Sequence, residues 1–90
     1  MSTIKPVEGT SRVEDLRAQI DRFDAEIVRL VNERAKAFGL IQTIRRQAGE
    51  TSIELGREAA TLLRYRQQLG KEGMTLGEAV LRVCRSRGSF

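Results

Sequence analysis

The chain contains no histidine and no tryptophan, one cysteine and one proline. Without histidine, serine–histidine–aspartate triads and histidine-ligated metal centres are excluded. A lone thiol, Cys84, cannot close a disulfide within the chain, which fits a reducing cytosol. Three phenylalanines and one tyrosine are a poor stock for a β-sandwich or barrel, and they leave little for stacking on nucleic-acid bases. No glycine-rich phosphate loop follows a strand pattern. No apolar run is long enough to span a membrane and no signal peptide is legible, so the cytoplasm is the expected location.

What is present suits helices. The 90 residues are enough for one domain, and their Ala, Leu, Arg, Glu and Gln are good helix formers. A chain this short buries a thin core and often gains stability by association. The net charge of +4 is built from both signs interspersed along the chain. Such a charge is compatible with nucleic acid, an anionic membrane or a small anion as partner.

Residues 1–10, with Pro6 and Gly9, read as a flexible leader; 11–90 read as the helical domain. Three helical segments are expected, over about 12–48, 52–69 and 76–87, each opened by a capping box. The boxes are Ser11 with Glu14, Thr51 with Glu54, and Thr75 with Glu78. In the first segment Leu16, Ile20, Phe23, Ile27, Leu30, Val31, Phe38, Ile41 and Ile44 recur at spacings of three and four, an amphipathic helix. At 1.5 Å per residue it would run roughly 55 Å, more than a compact domain of this size can cover. Gly49 is the expected terminator, and Gly70 with Gly73 is the expected turn between the second and third helices. The fold class is therefore all-α, one long and two short helices. The uncovered stripe calls for a second copy, giving an intertwined homodimeric bundle.

Arginines in the apolar stripe are the candidate functional residues. Arg34 and Arg45 continue the row Ile27, Val31, Phe38, Ile41, and face the same way within about 20°. Two inward guanidiniums need a counter-charge: a bound small anion, or acids such as Glu26 or Glu33. Arg57 and Glu58, early in the second helix, add a third cation and an acceptor. Arg17 lies about 25 Å from Arg34 along the helix axis and points about 100° away, so it serves the same ligand only across an antiparallel dimer. Cys84, on the apolar face of a short helix, reads as core rather than nucleophile.

These residues resemble the all-helical (type II) chorismate mutases. The resemblance rests on Leu16, Arg17, Ile20, Asp21 and Asp24, then on Glu33 with Arg34, on Arg45 eleven residues later, and on Arg57 with Glu58. It covers about Val13 to Arg87 and is closest to the short actinobacterial subgroup. It implies a Claisen rearrangement that needs no nucleophile, proton transfer, metal or cofactor. In its terms Arg45 donates to the ether oxygen of the breaking bond and Glu58 accepts from the ring hydroxyl. Arg34, Arg57 and the partner subunit's Arg17 bind carboxylates of the dicarboxylate substrate. Glu54 matches a position beside the ring hydroxyl, so it is either a helix cap or a reader of the ring substituent. With Glu58 one turn away, it would suit the ammonium of the amino analogue of chorismate.

The sequence also departs from that pattern. Gly39 replaces a usual lysine, Gly49-Glu50-Thr51-Ser52 replaces a Gly-Gly-Thr-Arg stretch, and the basic tail is altered to Cys84-Arg85-Ser86-Arg87-Gly88. Short relatives form an activating complex with the first enzyme of the shikimate pathway through that tail. The altered tail implies a weak boost or none. Other readings in the same class are a 4-amino-4-deoxychorismate mutase and an isochorismate pyruvate lyase. In another class stands a basic helical module for nucleic acid or protein, which calls for exposed arginines rather than Arg34 and Arg45 on an apolar stripe.

Overall fold

A computed structural model describes residues 8–50 and 54–88. Three helices follow one another: α1 (Glu8–Gln47), α2 (Leu55–Leu69) and α3 (Lys71–Gly88), and the described residues contain no strand. The all-α expectation is met, with one long and two shorter helices. None of the helices is long and apolar enough to cross a membrane.

α1 passes through two compact units, one ending at Leu30 and the other beginning at Val31. In the first unit the expected apolar stripe is present and uncovered. Leu16, Ile20, Phe23 and Ile27 are all at least half exposed, Phe23 at 62%. In the second unit the stripe turns inward. Ala35 is buried at 3% exposure and packs with Val80 and Cys84 of α3, with Val31, Phe38 and Tyr65 closing around them.

α1 ends where Gly49 was expected to end it. Gly49 adopts φ 75°, the left-handed conformation that costs glycine least. Its N–H donates to the Arg46 carbonyl at 3.1 Å, and the Glu50 N–H donates to the Arg45 carbonyl at 2.9 Å. This pair of bonds is a Schellman cap.

The capping boxes did not set the helix starts. α1 begins at Glu8, so Ser11 lies inside the helix and the last residues of the expected leader are helical. Thr51 lies outside the described residues. Glu54 is itself the N-cap of α2 rather than its third helical residue, and its side chain makes no capping hydrogen bond. Thr75 stands in the body of α3, which begins at Lys71.

Gly70 is the true turn residue. It alone separates α2 from α3, with φ 81° and ψ −167°, a region essentially reserved for glycine. Gly73 is no turn residue but part of the buried face of α3, with Gly77, Val80, Leu81 and Cys84. A Cβ on Gly73 would meet the Tyr65 carbonyl oxygen at 2.3 Å and Leu69 Cβ at 2.7 Å. On Gly77 it would meet Leu62 Cδ2 at 3.0 Å. The two glycines let α3 approach α2 closely, and this contact was not visible as a period of apolar residues.

Candidate active site

The C-terminal half of α1, the first turns of α2 and the middle of α3 enclose a cleft of about 200 Å³. Arg34, Phe38 and Ile41 come from α1; Arg57, Glu58 and Thr61 from α2; Leu81 from α3. Glu54, at the head of α2, completes the wall. Four of the six expected site residues thus share one cavity.

Arg34 is half-buried, and the acids expected as its alternative partners are otherwise engaged. Glu26 pairs with Arg29, and Glu33 pairs with Lys36 at 3.2 Å. The hydrogen bond from Arg29 holds the Glu26 carboxyl below its usual range. Arg34 instead donates from Nη1 to Cys84 Sγ at 3.2 Å. A thiol sulfur is a weak acceptor, so most of the guanidinium's donors stay uncommitted. Cys84 itself is 1% exposed and part of the core, as expected. Arg57 is exposed on the cleft wall. Among the described residues neither Arg34 nor Arg57 forms an ion pair with an acid.

The two carboxylates of the cleft do have partners. Arg45 Nη2 lies 2.9 Å from Glu54 Oε1, with both side chains mostly buried. Arg85 Nη1 donates to Glu58 Oε2 at 2.5 Å across α2 and α3. Arg45 therefore reaches the cleft through Glu54 rather than as a wall residue. The partner of Glu54 is a cation from α1. Arg85 was missed in the sequence, because nothing in the spacing of α3 shows that its last turn meets the first turn of α2.

Arg17 is exposed in the first unit and is not among the residues lining the cleft. A second, larger cleft of about 660 Å³ has largely apolar walls from Ala35, Gly39 and Leu40, with Lys36 and Arg87 at its edge. No group of three or more acids or cysteines placed to hold a metal occurs among the described residues.

The arrangement is one for holding an anion. Two guanidiniums without an acid partner among the described residues face a small cavity, and the acids there are each neutralised by a further arginine. Guanidiniums stay charged at any physiological pH and match carboxylates in a forked geometry.

The chain is similar to known proteins of one family. The family model described as "Chorismate mutase type II" matches residues 16–86. An intracellular chorismate mutase of Mycobacterium tuberculosis is 39% identical over 75 residues, covering 83% of this chain and 70% of that protein. One from Mycolicibacterium smegmatis is 32% identical over 81 residues, covering 90% and 78%. Among solved structures, a chain matches with TM-score 0.79 and 30% identity, over 91% of this chain and 96% of that one. It belongs to a non-covalent complex of DAHP synthase and chorismate mutase from Corynebacterium glutamicum with a bound transition-state analogue.

Proposed function

The chain belongs to the type II chorismate mutase family, which makes it an isomerase, and we propose that it rearranges chorismate to prephenate. In that Claisen rearrangement the ether C–O bond breaks as a C–C bond forms within the same molecule. No nucleophile, proton transfer or cofactor is required. The task is to hold the reactive conformer and to place positive charge where the ether oxygen gains electron density.

The observation that carries this reading is the pairing pattern. Arg34 and Arg57, the two cleft-lining arginines that form no ion pair with an acid among the described residues, are the carboxylate binders. Arg45 is the donor to the ether oxygen. Its Nη2 is held by Glu54, a cleft residue, which leaves its other N–H groups available to the substrate. Glu58 accepts from the ring hydroxyl. With both acids already neutralised by arginines, the cleft offers little surplus negative charge for an ammonium. The geometry therefore favours the hydroxyl-bearing substrate over the amino analogue.

A second copy completes the site. A cavity of about 200 Å³ is smaller than the several hundred Å³ usual for ligand pockets. Arg17 has no ligand group among the cleft residues of its own chain, and the apolar residues Leu16 to Ile27 stand uncovered beside it. We therefore assign the partner subunit's Arg17 to the second carboxylate and the uncovered stripe to the dimer interface. The relatives' names carry the word intracellular, in keeping with the cytoplasm as the site of action. The solved complex supports DAHP synthase as a further partner of this chain. The altered tail, Cys84 to Gly88, argues for a weaker activating contact.

The test is direct. Purified chain is mixed with chorismate, and the loss of chorismate and gain of prephenate are followed. The amino analogue and isochorismate are run in parallel. Turnover of chorismate with the largest kcat/KM of the three is expected; turnover of either rival alone would overturn the assignment.

A further inference from the structure

The proposed site gives Glu58 its role, but the cleft residues do not say what holds its carboxylate in place. Glu58 projects from the first turn of α2. A flexible acidic side chain there would sample several rotamers, and ordering it on ligand binding would cost affinity. The structure shows it already ordered from another helix. Arg85, in the last turn of α3, donates from Nη1 to Glu58 Oε2 at 2.5 Å.

We infer that Arg85 is a positioning residue for Glu58: it fixes the carboxylate in the orientation that accepts the substrate hydroxyl. This rests on the reading of the cleft as a chorismate mutase site. Three observations carry it. The contact is charge-assisted and short, so it selects one carboxylate orientation. It uses one oxygen of a group with about four lone-pair sites, leaving room for a hydroxyl. It also cancels the charge of Glu58, which would otherwise repel the dicarboxylate that Arg34 and Arg57 attract. The opposite role, a latch that occupies Glu58 and must be displaced, predicts the opposite sign of effect.

The Arg85 side chain is half exposed, so solvent screens the pair and its removal should be felt moderately. The experiment is a double-mutant cycle of Arg85→Gln with Glu58→Gln, with Arg85→Lys as rescue and Arg82→Gln, an exposed arginine of the same helix, as charge control. Both kcat/KM for chorismate and Kd for a hydroxyl-bearing dicarboxylate transition-state analogue are read, and helicity is checked by circular dichroism. Arg85→Gln should lower kcat/KM by roughly twofold to fivefold, the size of a screened charge-assisted contact. Arg85→Lys should recover part of the loss, Arg82→Gln should have little effect, and in the Glu58→Gln background Arg85→Gln should cost almost nothing further. An unchanged or raised kcat/KM for Arg85→Gln, or a loss that persists undiminished without Glu58, overturns the inference. Failure of the mutase reading shows separately, as absent turnover by the unsubstituted chain, and the analogue-binding cycle then still reports whether Arg85 acts through Glu58.

Discussion

Gly73→Ala and Gly56→Ala are the same chemical change in two helices of one chain, and the structure sets them to opposite signs. At Gly73 the added Cβ would lie 2.3 Å from the Tyr65 carbonyl oxygen, which is backbone and cannot swing aside. α2 and α3 must separate, an overpacking cost of about 1–3 kcal/mol. The better helix propensity of alanine returns about 0.5–1 kcal/mol, so a net loss of about 1–2 kcal/mol is expected. At Gly56 nothing lies within 4 Å of the new Cβ and the backbone is helical. Only the propensity gain remains, a few tenths to about 1 kcal/mol. For a domain of this size each kcal/mol moves Tm by roughly 4–8 °C. Thermal melts at one fixed chain concentration, since association shifts Tm, should show Gly73→Ala well below the parent and Gly56→Ala level or a few degrees above. Gly73→Ala should also lower activity, because the same helix carries Leu81 and Arg85 to the cleft. Shifts of the same sign in the two variants, or a Gly73→Ala that melts at or above the parent, would refute the close-approach argument.

Four further outcomes are expected. Arg45→Met should lower kcat by roughly 10²-fold or more, as for a lost oxyanion donor, with Arg45→Lys retaining part of the rate; a normal kcat with only a raised KM would reduce Arg45 to a binding role. In the same assay Glu54→Gln, which loosens Arg45, should cost roughly tenfold in kcat, about 1.4 kcal/mol, equally on chorismate and its amino analogue, and a loss confined to the amino analogue would make Glu54 a substituent reader after all. Sedimentation should give twice the chain mass wherever the protein is helical, and a folded, active monomer would sink the shared-site proposal. Adding the host's DAHP synthase should raise kcat/KM by less than about tenfold, the altered tail giving at most a weak version of a charge-steered contact; a larger rise would contradict the reading of the tail.

The long helix was legible because Leu16 to Ile44 repeat at one period across its whole length, and its stop was legible because Gly49 has one obvious use. The helix starts were not. Ser11, Glu54 and Thr75 carry hydroxyls or carboxylates with capping spacing, yet two sit within helices and Glu54 turns its side chain to Arg45. Gly73 misled for a related reason: propensity marks it as a breaker, whereas the approach of Tyr65 requires a residue without Cβ there. Arg34 was found from its place in an apolar pattern, and Arg57 with Glu58 from their position early in the second helix. Arg85 is invisible in that way, because its importance arises only when two helices that are apart in the chain bring their ends together.

The single-residue link at Gly70 has a consequence for the order in which the molecule assembles. α2 and α3 are joined with almost no loop to close, and Gly77 meets Leu62 and Tyr65 only a short way back along the chain. The contact between Arg34 and Cys84 spans fifty residues. By the logarithmic cost of loop closure the longer span costs about 1 kcal/mol more than the shorter before any contact repays it. The hairpin of α2 and α3 is therefore the local nucleus, formed on the timescale of helix growth, and α1 docks onto it afterwards. Glu58 and Arg85 meet in the early step; Arg34 and Arg45 arrive in the late one. A refolding experiment that reads helix content and turnover together should see helicity appear ahead of catalysis, with an interval set by the docking of α1 and by the concentration-dependent pairing of two chains.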